Sequence, residues 1–464
     1  MTMGNCFHLH ARYTFSFAVL PLLTALAQNP AESSGHEQSI ETNKDTILAE
    51  LRSALKSEFD LFYPLCIDTV DGGYFSDINY KWQLEGRQAK MIVTQARHVW
   101  SLSTGSIFYK EKEPYLEYAR HGFVFLKNVM WDKDHGGFYD LVTREGKPIS
   151  FGYGPAGKTA YGNGFAIYGL AAYYRAFGDT AALNLAVKTF EWLDKHSYDP
   201  EYGGYFQNLL VNGDPQKDWY KGIPPKDQNS MIHLMEAFTE LYDVWPNETL
   251  RQRLDMLFHE IRDIVVGSKG YMTLFFNRDW TLVSYRDSTE ENRKSHLELD
   301  HISFGHDVET AYLLLETSKA LGLKNDTTTL RIAKQLDDFA LANGWDKEKG
   351  GIYDGGYEFK GDNKVTIVLS TKEWWSQIEA LNSFLMMSEL FPDDENNYYL
   401  KFCVQWDYVQ RYLIDHKYGG WFWGGIDEAP NLELGSKSSI WKCNYHTTRG
   451  LENCMKRLAR SSEN

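Results

Sequence analysis

The chain has 464 residues, of which 48 are Lys or Arg and 63 are Asp or Glu, and its formal net charge at pH 7 is −15. A chain this acidic repels polyanions, so the composition argues against a nucleic-acid-binding protein. Aromatic residues make up 15% of the sequence, including 14 Trp and 29 Tyr. Flat rings stack well on sugars and cations, although barrels also use them as packing.

The first 44 residues differ in composition from the rest. Arg12 precedes the apolar run 14–27 (TFSFAVLPLLTALA), which ends in small residues and is too short for a membrane span. This pattern is typical of a secretory signal. We therefore expect a signal peptide at 1–27, a disordered polar leader at 28–44, and one domain at 45–464. The predicted location is periplasmic or secreted, with a cytoplasmic enzyme as the alternative.

The cysteines beyond the signal give no sign of a zinc site. None of them forms a CxxC pair, and their number is too small for a dense disulfide framework, although one or two bridges stay open. They are Cys66, Cys403, Cys443 and Cys454.

A Gly-Gly pair followed by aromatic or aliphatic residues recurs along the chain. Full copies begin at Gly72, Gly136, Gly203, Gly350 and Gly419, and a degenerate copy (Lys-Gly-Tyr) has its glycine at Gly270. The offsets between successive copies are 64, 67, 67, 80 and 69 residues. Six copies at such a period predict six structural units.

Helical periodicity accounts for the sequence between these copies. The predicted helices cover 45–64, 90–106, 113–130, 160–177, 180–196, 228–244, 248–266, 305–322, 327–342, 374–390, 396–415 and 439–459. A single helix pair cannot bury its apolar face, and closing six pairs into a ring buries all of them. We therefore predict an all-α (α/α)6 barrel of six inner and six outer helices. An open helical solenoid is the alternative.

The stretch Asp300–Glu309 (DHISFGHDVE) carries the clearest chemistry. Gly305 permits close backbone approach, and His306 and Glu309 are three residues apart on one helix face. A carboxylate in that place can fix the imidazole tautomer and favour its protonated form, which suits a general acid or base. An ordinary helix-start histidine is the structural alternative.

Other reactive residues fall near the starts of the other predicted inner helices. They are Arg97, Tyr161, Asn229, His233, Glu236, Trp374, Trp375, Trp441 and His446. Each has a structural alternative, such as a surface ion pair for Arg97 or packing for the tryptophans. Three histidines at matching points of separate units nevertheless favour one shared pocket at one end of the barrel.

Three reaction classes can use such a pocket. Proton transfer beside a carbonyl needs a base, an acid and an oxyanion partner, which two histidines and Arg97 can provide. Di-iron bundles use Glu-x-x-His rather than the His-x-x-Glu order of His233 and Glu236, so no metal and no cofactor is expected. Glycoside hydrolysis needs two carboxylates across a cleft, for which Asp300 and Glu379 are also available.

Four segments are similar to signature segments of the N-acylglucosamine 2-epimerase superfamily, and within it of the cellobiose (mannobiose) 2-epimerases. The segments are DHISFGHDVE, NSMIHLMEA, KEWWSQIEA and WKCNYHTTR, and the resemblance extends from Asp45 to Arg457. It implies reversible inversion at C2 of the reducing-end glucose or mannose of a β-1,4-linked disaccharide through a cis-enediolate. An aldose–ketose isomerase on the same scaffold is the alternative.

The resemblance also implies residue roles. His306 and His446 would be the two general acid/base groups, and Glu309 would position His306. Binding of the sugar falls to Arg97, Asn229, His233, Glu236, Trp441, one of Trp374 and Trp375, and Tyr161, whose surroundings (AYGNGF) depart from the usual tyrosine-glycine-glutamine. Because Arg449 follows His446 by one turn, we expect His306 to have the higher proton affinity of the pair. The protein is expected to be a monomer or weak dimer.

The signal-peptide interpretation is testable on native protein. Export with cleavage after Ala27 predicts an intact mass that lacks residues 1–27. Mass spectrometry of protein purified from its natural host measures this directly, and a mass that includes those residues would contradict the interpretation.

Overall fold

The computed structural model describes residues 40, 42–109, 112–151, 156–362 and 364–460. The expected signal peptide and nearly all of the expected leader lie outside these residues. The first helix begins at Lys44, and the Asn43 side chain caps it by accepting hydrogen bonds from the backbone of Asp45 and Thr46. This helix therefore begins one residue before the expected boundary at 45.

In the part of the chain that the structure describes, twelve long helices form two concentric rings. The inner helices are α2 (Ile92–Gly105), α4 (Ala160–Phe177), α6 (Gln228–Val244), α10 (Phe304–Ala320), α12 (Trp374–Leu390) and α14 (Tyr445–Arg460). The outer helices are α1 (Lys44–Phe62), α3 (Glu113–Phe125), α5 (Thr180–His196), α7 (Glu248–Glu260), α11 (Thr327–Asn343) and α13 (Tyr398–Tyr412). Each inner helix contacts the next, and α14 contacts α2, which closes the ring. The predicted (α/α)6 barrel is confirmed.

Small residues let neighbouring inner helices approach closely. A Cβ added to Gly169 of α4 would lie 2.6 Å from the backbone oxygen of Ala96 in α2. A larger residue there would push the two helices apart, so this glycine helps the inner ring to close.

Short antiparallel strands connect the helices. They are β1 (Lys90–Met91), β2 (Leu141–Val142), β3 (Pro148–Ile149), β4 (Gly157–Thr159), β5 (Asn208–Leu210), β6 (Lys226–Asp227), β7 (Phe275–Phe276), β8 (Ile302–Ser303), β9 (Gly355–Tyr357) and β10 (Thr366–Leu369). They pair as β1-β2-β3, β4-β5, β6-β7 and β8-β9-β10. Because β1, β4, β6 and β8 each end where an inner helix begins, the hairpins gather at one end of the barrel.

A buried lysine fixes each complete Gly-Gly turn, a feature that the sequence analysis missed. In the second unit, Lys158 Nζ donates to Asp132 Oδ2 at 2.7 Å and to the Gly136 carbonyl at 2.6 Å. The same buried Asp–Lys pair recurs in four other units, as Asp68–Lys90, Asp199–Lys226, Asp346–Lys372 and Asp415–Lys437. Although burial opposes it, Lys158 lowers the pKa of Asp132 to about 2.

The unit with the degenerate glycine copy is built differently. Ile302 stands two residues before α10, where Lys158 stands before α4. One contact of the repeat is kept, because Asp307 in α10 accepts a hydrogen bond from the Met272 backbone at 2.9 Å, as Gln95, Asn163 and Gln377 accept from the turns of their units. The longer segment of this unit adds two short helices, α8 (Glu290–Ser295) and α9 (Leu297–Asp300), which were not predicted. Within the described residues, no helix is long and apolar enough to cross a bilayer.

Replacing the buried lysine of one unit should destabilise the barrel. Lys158→Met leaves the Asp132 carboxylate buried without its cation, which costs roughly 3–5 kcal/mol. The matched control is Lys294→Met, because the Lys294–Glu290 pair is exposed (76% and 69%) and should contribute less than about 1 kcal/mol. Urea unfolding measures both, and equal losses would contradict a structural role for the buried pair.

Candidate active site

One guanidinium lies at the centre of the inner ring. Arg449 of α14 donates to Glu236 of α6, to Glu309 of α10, and to Glu379 of α12, the last at 2.7 Å. All four side chains are buried. Burial alone would raise the pKa of Glu236, but Arg449 and His233 hold it well below its usual value. Arg449 therefore joins α14 to three other inner helices through charge-assisted hydrogen bonds.

His446 is held by a carboxylate. Its Nδ1 lies 2.6 Å from Glu379 Oε1, and the other oxygen of Glu379 accepts a hydrogen bond from the Tyr312 hydroxyl at 2.5 Å. A carboxylate oxygen only accepts, so Nδ1 carries the proton and Nε2 is left for chemistry. Burial, together with Arg97 and Arg449, lowers the pKa of His446 well below its usual value.

His306 is held by the Ser303 hydroxyl rather than by a hydrogen bond from Glu309, the residue expected to position it. Nδ1 of His306 lies 2.7 Å from Ser303 Oγ, whereas Glu309 hydrogen-bonds Arg449. Arg449 competes successfully for Glu309 because it offers a full positive charge. Glu309 reaches His306 only through its charge, and burial lowers the pKa of His306 to about 3 despite it. Burial lowers both histidine pKa values, and Arg97 and Arg449 lower that of His446 further, so these charges agree with the expected higher proton affinity of His306.

Trp375 lies between the two histidines, which decides a question that the sequence left open. Its ring centroid is 4.6 Å from that of His306 and 5.8 Å from that of His446. Gly305 makes this possible, because a Cβ there would lie 2.8 Å from Trp375 Cη2. The expected close approach at Gly305 is confirmed.

Trp374 faces away from the histidines. It is buried against Trp423, with ring centroids 4.8 Å apart, and beneath the ammonium of Lys442. Adjacent residues on a helix point about 100° apart, so only one of the pair can face the inside of the ring. Trp374 is therefore packing rather than a sugar platform.

The predicted binding residues of the first three inner helices lie together. Arg97 Nη2 donates to the Tyr161 hydroxyl at 3.1 Å, and its guanidinium stacks over the rings of Phe165 and Tyr445. The predicted residues are therefore in contact, and Arg97 is buried rather than part of a surface ion pair. Burial raises the pKa of the Tyr161 hydroxyl, and Arg97 and Asn229 oppose that increase, which puts Asn229 near the same hydroxyl.

His233 belongs to the same group. Its Nδ1 lies 2.9 Å from Glu236 Oε2, and its ring packs edge-on against Tyr161 at 5.4 Å. The His-x-x-Glu spacing thus produces a contact on α6, but not on α10, where Glu309 is bound to Arg449.

Trp441 lies further out. It is 38% exposed and stacks on Phe151 with centroids 5.9 Å apart and planes 21° apart. Asp300 hydrogen-bonds the Tyr357 hydroxyl at 2.9 Å and the Tyr285 backbone, and so serves the connecting segment.

Two partners of the histidines were not predicted from the sequence, namely Ser303 for His306 and Glu379 for His446. Ser303 precedes His306 by three residues, and Glu379 follows Trp375 by four, so each stands about one helical turn from a predicted site residue. That spacing was a usable signal for contact. Spacing along one helix could not predict that Glu379 bonds His446, which lies on a different helix.

One group of side chains has the composition of a metal site, but the guanidinium of Arg449 already bonds its carboxylates. Ligand atoms of Glu309, Glu379 and His446 all lie within 4.8 Å of one another. Arg449 donates to both carboxylates, so its guanidinium supplies the positive charge that they require. A metal ion bound there would have to displace this arginine.

Known proteins resemble this chain in both sequence and fold. The N-acylglucosamine 2-epimerase family model matches residues 73–448. Cellobiose 2-epimerase from Ruminococcus albus is 28% identical over 418 residues, covering 87% of this chain and 97% of that protein. The structure of cellobiose 2-epimerase from Spirochaeta thermophila has a TM-score of 0.76 at 28% identity, covering 91% and 100% of the two chains. A D-mannose isomerase structure has a TM-score of 0.76 at 22% identity, covering 92% and 100%.

The fold and the relatives define the class as an isomerase that epimerises sugars. Within that class, the chain belongs to the N-acylglucosamine 2-epimerase family.

Removing the central guanidinium should destabilise the protein in a pH-dependent way. Arg449→Met leaves three buried carboxylates without their shared cation, at a cost of roughly 3–5 kcal/mol near pH 7. Arg449 keeps the pKa of Glu236 low against burial, and without it burial raises that pKa above the unfolded value of 4.5, so the deficit grows as pH rises through about 4.5 and shrinks as pH falls.

The matched control lies on the same helix. Arg457→Met breaks an ion pair with the partly exposed Glu389 and should cost less than about 1 kcal/mol. Thermal unfolding from pH 4 to pH 8 measures both variants. A deficit for Arg449→Met that is independent of pH would contradict the electrostatic explanation.

Proposed function

We propose that this enzyme inverts C2 of the reducing-end glucose or mannose of β-1,4-linked disaccharides. His306 and His446 transfer the proton, and the reaction passes through a cis-enediolate. The observation that carries the proposal is that the two imidazoles contact the same indole ring of Trp375, each with Nδ1 already hydrogen-bonded.

The proton balance requires one neutral and one protonated imidazole. In the open-chain sugar, the neutral histidine takes the C2 proton, and the electron pair forms the C1–C2 double bond of the enediolate. The protonated histidine then gives its proton to the opposite face of C2, so the two imidazoles exchange states. Burial lowers the pKa of both rings, which favours a neutral base at neutral pH.

Arg97 supports the charge that develops on O1. Its guanidinium is buried, and its Nε has no hydrogen-bond acceptor among the described residues. Such a donor stabilises an oxyanion more than a neutral carbonyl oxygen, and therefore favours the transition state. Tyr161, Asn229 and His233, which are grouped with Arg97, are suited to bind the neighbouring hydroxyls.

The preference for a disaccharide rests on Trp441. A half-exposed indole at the edge of the site offers a stacking face for a second sugar ring, and Phe151 supports it from behind. The relatives named cellobiose 2-epimerase support the same substrate class.

Aldose–ketose isomerisation is the second candidate, because the two histidines in contact with Trp375 could serve that reaction as well. It uses the same enediolate but returns the proton to C1. Hydrolysis is less well supported, because Glu309 and Glu379 share one guanidinium instead of standing about 5–10 Å apart across a cleft.

One incubation separates these functions. The protein is incubated with cellobiose, mannobiose or lactose in heavy water without added metal, and the products are followed by NMR. Epimerisation predicts the C2 epimer with deuterium at C2. A ketose would indicate an isomerase, released monosaccharides a hydrolase, and unchanged sugars a binding protein.

The histidine assignment needs its own variants. His446→Asn should lower turnover roughly 10²–10⁴-fold, the usual contribution of a general acid or base. His259→Asn on the outer helix α7 is the matched control, because that ring lies on the surface, and it should behave as the wild type. Unchanged turnover in His446→Asn would contradict the assignment.

A further inference from the structure

Ser303 stands at the start of a helix but does not cap it, as a serine in that position usually does. It occupies the N-cap position of α10 with an extended backbone (φ −102°, ψ 97°), yet its side chain makes no capping hydrogen bond. The N-cap residues of two other inner helices do cap: Thr159 accepts from Gly162 in α4, and Asp227 accepts from Ser230 in α6. A capping hydroxyl ordinarily contributes about 1 kcal/mol, so its diversion calls for a reason.

The diverted hydroxyl bonds the ring of His306 instead. Ser303 Oγ lies 2.7 Å from Nδ1, and Ser303 is 6% exposed, so few water molecules compete for the contact. Within the described residues, no hydrogen bond reaches Nε2 of this ring. The contact therefore fixes one ring nitrogen and leaves the other available.

The proton on Nδ1 decides what His306 can do. A neutral imidazole accepts a proton only on the nitrogen that lacks one, and histidine in water prefers to carry its proton on Nε2. In that ordinary tautomer, Nε2 could not take a proton from a substrate. An acceptor at Nδ1 reverses the preference and keeps the Nε2 lone pair free.

We infer that Ser303 is a positioning residue whose hydroxyl accepts the Nδ1 proton of His306 and so holds the ring in the tautomer that works as a base at Nε2. The inference rests on the proposed function. It gives the two histidines different partners for the same task, since His446 has the Glu379 carboxylate in this place. The hydroxyl is neutral, so it selects the tautomer of His306 without adding a negative charge beside it.

Kinetics of three variants test the role. Ser303→Ala should lower kcat about 10- to 100-fold with little change in KM, because the neutral ring then carries its proton mainly on Nε2. Ser303→Thr keeps the hydroxyl and should restore most of kcat. Equal kcat in the wild type and Ser303→Ala, or failure of Thr to rescue, would overturn the inference.

A capping control separates catalysis from folding. Thr159→Ala removes a hydroxyl that does cap its helix and should lower the Tm, with its histidine signals unchanged. Ser303→Ala loses no cap and should keep the wild-type Tm. A large fall in Tm for Ser303→Ala would indicate a structural role and count against the inference.

The tautomer can be read without any activity. Long-range ¹H–¹⁵N NMR of the imidazole nitrogens, assigned with His306→Asn, distinguishes a protonated from an unprotonated Nδ1. The wild type should show protonated Nδ1 at neutral pH, and Ser303→Ala should show protonated Nε2. If the wild type does not epimerise sugars but the tautomer changes as stated, the proposed function fails while the contact stands; an unprotonated Nδ1 in the wild type would overturn the inference itself.

Discussion

The ion cluster around Arg449 is the interaction on which the rest of the site depends. One guanidinium from the last inner helix meets carboxylates from three others, namely Glu236, Glu309 and Glu379. Removing a charge from water costs several kcal/mol, and three buried carboxylates without a cation would repel one another. The barrel tolerates them because Arg449 compensates them, and in return they fix four inner helices relative to each other.

The same cluster determines what the histidines can do. Glu379 bonds both Arg449 and His446, so the position of His446 depends on the arginine. Glu236 bonds both Arg449 and His233 in the same way. His306 alone lies outside this network of carboxylates, because Glu309 is engaged by Arg449 and Ser303 takes its place at the ring. The two candidate proton-transfer groups are thus held by chemically different partners.

The turns that connect the helices are built on a repeated structural unit rather than on the Arg449 cluster. Five turns contain a buried Asp–Lys pair, and in four of them the lysine also donates to the carbonyl of the first glycine. The unit that precedes His306 lacks this pair and carries a longer connection. The departure from the repeat therefore coincides with the inner helix that begins with SFGHDVE. Without the buried Asp–Lys pair, the connection in this unit is free to differ in length and structure from those of the other units.

The sequence by itself determined the architecture. The boundaries of the twelve predicted helices lie within six residues of the observed ones, because a regular apolar period and a recurring glycine turn are local properties of the chain. It also located the reactive residues, since residues near the starts of successive inner helices must share one end of the ring. Arg97, Tyr161, His233, His306 and His446 lie in one group for that reason.

Only the tertiary structure decided the partners. Glu309 is three residues from His306 in sequence, yet it bonds Arg449, 140 residues away, because a guanidinium is the stronger partner for a buried carboxylate. The choice between Trp374 and Trp375 likewise depended on the rotation of α12 within the ring. Spacing along a helix shows which side chains share a face, whereas hydrogen-bond partners are chosen by competition among all the groups that folding brings together.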